Sequence, residues 1–457
     1  MKFSLQIKLG ICAVLLLALT VAAEDPAAKT QREAYALRKL AKEWLKLGNW
    51  CVSKKLGEQA RGCADKAEAV DAAVPGLDKL REKIDKCETP DDAEVEKLLE
   101  SWKKKLAAAK RTIAKHYEKL FNLRATVRER SERKHFDKYL LSALELHPTD
   151  KRWKAALAIV ETALRGKDTE RAANVAQKAL ALEPPEKYKN RFSNALDAAA
   201  VDKVILKTAT AHPIRYYFSL PAGYRRKEGK KWPVLICVDG AGCGFRGMAE
   251  GYRKARGKLP YIVVSPCTFA NTNKIEENML KKFKTLYSDD VIEKGKSKRI
   301  DWDEEGILAI IKDLKAGYDA EGRVYVTGFS GGGYATYMMI FRHPDLLNGA
   351  APACGIFRQT LAFTANKDKF TEEDRNFPIH VITGAKDPHR KYTKGDKNIP
   401  GIEPQTDMAE KLIKQLKYPN YKRTMVPNLS HSPARKHVVD TFKPYWKGAK
   451  KRSDKLK

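Results

Sequence analysis

The run Gly328-Phe329-Ser330-Gly331-Gly332 fits Gly-x-Ser-x-Gly, a spacing that can present a serine hydroxyl as a nucleophile on a sharp strand-to-helix turn. Such a turn demands small neighbours. Gly328 and Gly332 flank it so closely that a Cβ would clash, and the backbone at the serine is strained so that the hydroxyl stands above a sheet edge. The amide of Gly331 falls at a helix start, where unpaired N–H groups can receive a developing oxyanion. A glycine-rich turn of this kind can instead cradle phosphate, but no Lys follows it, as a phosphate loop would need. A serine hydroxyl is a weak nucleophile until a base takes its proton, so the pentapeptide also calls for a histidine and an acid elsewhere.

The surrounding elements fit this chemistry. The apolar run Val324-Tyr325-Val326 leads into the turn as a strand, and Gly333-Tyr334-Ala335-Thr336-Tyr337-Met338-Met339 leaves it as a helix. From about His212 to Trp446 the chain resembles the α/β-hydrolase superfamily, most closely its esterase, polyhydroxybutyrate-depolymerase and feruloyl-esterase-like branch. The matching pieces are Phe218-Ser-Leu-Pro-Ala-Gly-Tyr, Pro233-Val-Leu-Ile-Cys-Val-Asp-Gly-Ala-Gly, the Ser330 turn and Phe341-Arg-His-Pro-Asp. The resemblance covers about half of the chain.

It implies a triad in the order serine, acid, histidine. Asp387 stands in Gly384-Ala385-Lys386-Asp387-Pro388 directly after the apolar run Ile379 to Thr383, at the carboxyl end of a strand; Asp368, Asp374 and Asp396 lie in charged loops. His431 follows the strand-like Arg423 to Val426 and precedes a last helix, the place this fold assigns to its base. His437 is the fallback, on the flank of that helix. His343 falls on the helix after the nucleophile, His380 within a strand, and His389 too near Asp387 in sequence to bridge it to the serine. Relatives often carry His-Gly-Gly after the strand Val234 to Val238, as part of the oxyanion hole. Here the residues are Asp239-Gly240-Ala241-Gly242-Cys243-Gly244, so the second N–H would come from Ala241 or Gly242, with Asp239 as a departure. The family's strand order would also place Cys243 and Cys267 side by side, and a disulfide between them is expected.

The remainder of the chain sets the organisation. Its 457 residues suit two folded units better than one. Lys2 and Lys8, the apolar run Ile11 to Leu19 and the small residues Val21-Ala22-Ala23 read as a signal peptide over residues 1–23. That run is too short to span a bilayer comfortably, so an exported protein, periplasmic or secreted, with no stable membrane span is expected. Residues 24–202 are rich in Ala, Leu, Lys and Glu, with apolar residues at helical spacing. The segments 40–60 and 155–184 echo each other, the second resembling a tetratricopeptide-type helical hairpin that could serve as a scaffold or dock a protein partner. Residues 203–447 alternate strand and helix, as a mostly parallel sheet covered on both faces requires. The basic residues 448–457 read as a disordered tail.

The fold class is therefore α/β, preceded by an all-α region. The formal charge is +31, yet acids interleave the densest basic stretches, so a solvated surface fits better than nucleic-acid binding. No Cys-x-x-Cys pair or Cys–His cluster suggests a metal, and no cofactor is implied. The insertion Asn271 to Arg299, with Phe283 and Tyr287 among many lysines, reads as a wall or lid over the site. Hydrolysis of an acyl ester, polymeric or acidic, is the expected activity. A peptidase of the same fold, or a partner-binding protein led by its helical region, is the alternative.

Overall fold

A computed structural model describes residues 31–88, 92–123, 132–224, 231–271, 275–357, 370–393 and 396–453. The signal-peptide expectation falls outside them. The chain divides into two compact units, Met1–Ala195 and Leu196–Lys457, so the division lies before residue 203, where the composition changes.

The first unit is helical: α1 (Gln31–Ser53), α2 (Gly57–Val70), α3 (Leu77–Asp85), α4 (Asp92–Asn122), α5 (Asp137–Leu146), α6 (Asp150–Arg165) and α7 (Thr169–Ala181). Both echoing segments are helical hairpins, α1–α2 and α6–α7. Thr149 and Asp168 start the second pair by accepting the N–H of Arg152 and of Arg171, which satisfies donors that a helix leaves open at its first turn. Alanine on facing sides (Ala156, Ala172, Ala176) is buried and lets the helices pack closely. Trp44 is buried, while Trp50 and Trp102 stack on each other at 6.4 Å. Lys103, Lys104 and Lys105 lie on solvent-exposed positions of α4.

The helix α8 (Glu186–Ala200) crosses the division and leads to the second unit. Its eight-stranded sheet comprises β1 (Ile205–Thr208), β2 (Arg215–Ser219), β3 (Val234–Val238), β4 (Ile262–Pro266), β5 (Val324–Ser330), β6 (Leu347–Gly355), β7 (Ile379–Gly384) and β8 (Tyr421–Val426). Their order is 1-2-4-3-5-6-7-8. Only β2 runs antiparallel to its neighbours; from β4 to β8 all pairs are parallel. The central strands β3, β4 and β6 are buried at every position, as a sheet covered on both faces requires. The covering helices include α9 (Phe245–Arg256), α10 (Glu277–Lys284), α11 (Asp289–Ser297), α12 (Arg299–Gly317), α13 (Gly333–Arg342), α14 (Ile402–Gln415) and α15 (Arg435–Ser453). Leu235, Val263, Tyr325, Val438 and Phe442 belong to one buried cluster that joins the sheet to α9 and α15.

One expectation changes here. The final helix continues through Ser453, so most of the segment 448–457 expected to be disordered is helical. The insertion after β4, expected as a wall or lid, is helical, and the inward turn of its rings was not foreseen. It forms α10 and α11, and Phe283 and Tyr287 turn inward onto Phe269 and Trp302, because burying such rings is worth more than displaying them to water.

Candidate active site

The central strand β5 ends in Ser330, which has φ +51°, the left-handed region that a side-chain-bearing residue rarely occupies. The register slips between Phe329 and Ser330 against β6, so the serine sits at an irregularity where the ladder ends at the carboxyl edge of the sheet. Gly332 N–H donates to Phe329 O at 2.7 Å and Ile356 N–H to Ser330 O at 2.9 Å, holding the turn from both sides. A Cβ on Gly328 would lie 2.0 Å from Gly332 O, and one on Gly332 would lie 2.3 Å from Val238 O. Both positions therefore require glycine. Gly333 meets Gly355 the same way: an added Cβ would fall 2.5 Å from its Cα, which lets α13 sit against β6.

Asp387 follows β7 and His431 follows β8, both at that same edge. His431 Nδ1 lies 2.8 Å from Asp387 Oδ2, and Asp387 Oδ1 accepts the His389 N–H at 2.8 Å. Burial pushes the Asp387 carboxyl up, but the hydrogen bonds from His431 and the His389 amide outweigh it, and the net direction is below the ordinary aspartate range. An ionised Asp387 requires the proton on Nδ1 and leaves Nε2 of a neutral ring as a lone-pair nitrogen, the tautomer of a general base. The His431 ring packs on Phe329 and on His389, each at 4.7 Å between centroids. Phe329 is the residue before the serine, so the packing ties His431 to the Ser330 turn. The other histidines are occupied elsewhere: His343 with Glu304, and His380 between Thr441 and Thr424. His437 lies on α15.

Cys354, at the end of β6 with φ +43°, joins this group. Donor atoms of Cys354, Asp387 and His431 lie within 4.8 Å of one another. A metal would need the thiolate, whereas burial pushes this thiol up to about 12. The thiol donates to Ser430 O at 3.9 Å and lies beside the Asp387 carboxylate. The cluster thus has the character of a supported His–Asp pair. Neither the left-handed Cys354 nor the Phe329 contact carried a signal in the sequence.

The loop after β3 makes the other wall. Cys243 N–H donates to Gly240 O at 3.1 Å, closing a turn with Ala241 and Gly242 at its centre. A Cβ on Gly240 would lie 2.9 Å from Ser330 Cβ, so this turn lies against the nucleophile. Among the described residues, no acceptor takes the N–H of Gly331 or of Ala241, as donors reserved for an oxyanion require. Asp239, the departure from His, accepts the Gly244 N–H at 2.5 Å where α9 begins. Burial raises its carboxyl above the ordinary range. It serves as a loop staple. Lys282 from α10 donates to Gly242 O at 2.5 Å.

The disulfide expected between Cys243 and Cys267 is not formed; both are free, buried thiols. The Cys243 sulfur instead lies 3.5 Å from Asn271 Nδ2 and 3.6 Å from Ala241 O, so it is committed to the loop. Asn271, read only as the start of an insertion, belongs to the site.

A model of the prolyl oligopeptidase family (Peptidase_S9) matches residues 286–389, a stretch that includes Ser330 and Asp387. No curated protein matches. Solved structures that resemble the chain include the feruloyl esterase module of Clostridium thermocellum, complexed with sinapinate, at 15% identity over 53% of this chain and 86% of that one, with a TM-score of 0.35. Another is S-formylglutathione hydrolase from Staphylococcus aureus, at 10% identity over 53% and 95%, with a TM-score of 0.36. A third is acylaminoacyl peptidase from Pyrococcus horikoshii, at 16% identity over 54% and 40%, with a TM-score of 0.34. Strand order, a left-handed serine at the end of the central strand and the family match agree: the second unit has the α/β-hydrolase fold, and its chemistry is that of a serine hydrolase.

Proposed function

We propose that the chain is an exported esterase that cleaves carboxylic esters through an acyl-enzyme on Ser330. The supporting observation is the His431–Asp387 hydrogen bond of 2.8 Å at the sheet edge where Ser330 projects in its left-handed turn. Ser330 Oγ attacks the ester carbonyl while His431 Nε2 takes its proton, and Asp387 stabilises the imidazolium so formed. The N–H groups of Gly331 and of Ala241 or Gly242 bind the oxyanion. His431 returns the proton to the leaving alkoxide. Water, deprotonated by the same base, then attacks the acyl carbon; the bond to Ser330 Oγ breaks, and His431 hands the proton to Ser330 Oγ as the acid leaves. No cofactor takes part in these steps. The segment 1–23 is removed on export, so the protein recovered from outside the cytoplasm is expected to begin at Glu24 on N-terminal sequencing.

A fluorophosphonate probe tests the assignment directly. Wild type is expected to be labelled, and Ser330→Ala to show no label and no esterase turnover. Undiminished labelling of Ser330→Ala would remove the proposal. A second reading, peptidase action by the same residues, is favoured by the prolyl oligopeptidase match over residues 286–389. Short acyl esters compared with peptide substrates decide between them: cleavage of peptides with no turnover of esters would establish the second.

A further inference from the structure

The segment after β4 enters the site, and no step above uses it. Asn271 is buried at 2% exposure. Its Nδ2 donates to Gly240 O at 2.8 Å; because the partner is a carbonyl, only the amide nitrogen can face it. That same carbonyl closes the Gly240–Cys243 turn, whose central residues carry the second oxyanion donor. The backbone of Asn271 meets the other donor: a Cβ on Gly331 would fall 1.6 Å from Asn271 O. One residue therefore holds the Ala241/Gly242 turn with its side chain and abuts Gly331 with its main chain.

Its own position is fixed from behind. Asp303, fully enclosed on α12, accepts the N–H of Phe269 through Oδ1 and that of Ala270 through Oδ2, each at 2.7 Å. These are the two residues before Asn271. The connection runs from α12 through the 269–271 turn to both halves of the oxyanion hole. A preorganised hole stabilises the transition state only while its donors stay within about 0.5 Å of their working positions.

We propose that Asn271 is the positioning residue that sets the spacing between the Gly331 and Ala241/Gly242 donors, with Asp303 as its anchor. This rests on the reading of Ser330 as nucleophile. Asn271 acts through the two donor loops it holds, so its removal loosens the hole and leaves the binding of the ground-state ester unchanged.

The test uses the full chain, and first requires that wild type be labelled by the fluorophosphonate and Ser330→Ala not. Failure at that point removes the nucleophile assignment itself, and with it the role given to Asn271. Given that result, Asn271→Ala is expected to lower kcat on an activated ester by about 10–100-fold, short of the loss of a whole donor, with KM within about twofold. Asn271→Asp should lose more, since it removes the N–H donor and adds a charge beside the forming oxyanion. Affinity for a boronic-acid mimic of the tetrahedral intermediate should fall in step with kcat/KM, while that for the product acid stays level. Asp303→Asn should lower kcat in the same KM-neutral way, and combining it with Asn271→Ala should cost little beyond Asn271→Ala alone. If Asn271→Ala does not fold, Asn271→Ser, which keeps a short donor, carries the same readouts. Unchanged kcat in the folded variants, a loss confined to KM, or mimic affinity that stays constant while turnover falls would overturn the role of Asn271. Fully multiplicative losses in the double variant would overturn that of Asp303.

Discussion

In the proposed mechanism Asp387 does two jobs for His431: it fixes the ring through Nδ1 and supplies the charge that an imidazolium needs. Asp387→Asn keeps the shape but presents an amide, which favours the wrong tautomer. We expect turnover to fall on the order of 10³–10⁴-fold with the melting temperature nearly unchanged; a loss below tenfold would show that His431 takes its orientation from elsewhere. Asp303 gives a different kind of prediction. Burial raises its carboxyl from 3.8 to about 7, against the pull of the Phe269 and Ala270 amides and of Arg299. Tyr287 also lies within its electrostatic reach. The folded chain therefore holds a proton that the unfolded chain has released. The stability this contributes is complete below the unfolded value of 3.8 and is lost as pH rises through about 7. Urea unfolding followed from about pH 5 to 8 should show stability declining up to about pH 7 and levelling above it, and Asp303→Asn should flatten that slope even though it weakens the fold overall. Equal slopes in both proteins would refute this account.

At the scale of elements, the close approach of α13 to β6 is what the left-handed serine depends on. It is made by two glycines. Gly333→Ala would push a methyl against the Gly355 backbone, which has no flexible side chain to yield. Overpacking of this kind costs about 1–3 kcal/mol, so the urea midpoint of the second unit should drop and probe labelling of Ser330 should slow together. Loss of stability with full labelling would separate the turn from this contact. The nucleophile strand and helix were legible because glycines and an apolar run carry a local rule. Val234–Val238 and Ile379–Thr383 were legible for the same reason, and so were the positions of Asp387 and His431 after their strands. β6 was not. Leu347-Asn-Gly-Ala-Ala-Pro-Ala-Cys-Gly contains no β-branched residue, and its extended form comes from burial between β5 and β7, a tertiary effect that overrides propensity. Asn271 was hidden differently: its role comes from a carbonyl 31 residues away, which spacing along the chain cannot announce. The Cys243–Cys267 disulfide failed because adjacent strand ends bring residues near each other without dictating where their side chains point.

For the whole molecule the main electrostatic fact is the formal charge of +31. A field of that sign raises the local concentration of anions and speeds their association, and the effect fades as added salt shortens the screening length to about 10 Å at 0.1 M. Lys282, whose Nζ lies on the Gly242 carbonyl of the loop beside Ser330, brings the same sign of charge to the site itself. We propose that the preferred ester carries negative charge on its acyl or alcohol part, as an acidic polymer does. The comparison that decides this uses two esters of similar size and leaving group, one anionic and one neutral. On raising salt from about 20 mM to about 500 mM, kcat/KM for the anionic ester should fall severalfold while the neutral one changes little, since screening removes steering and leaves the chemistry at Ser330 intact. Lys282→Gln, which keeps a donor for the Gly242 carbonyl, should reduce the ratio of anionic to neutral kcat/KM at low salt, any loss common to both esters coming from the loop. Parallel salt profiles for the two esters would mean that the charge serves solubility and that the acyl pocket selects its substrate by shape.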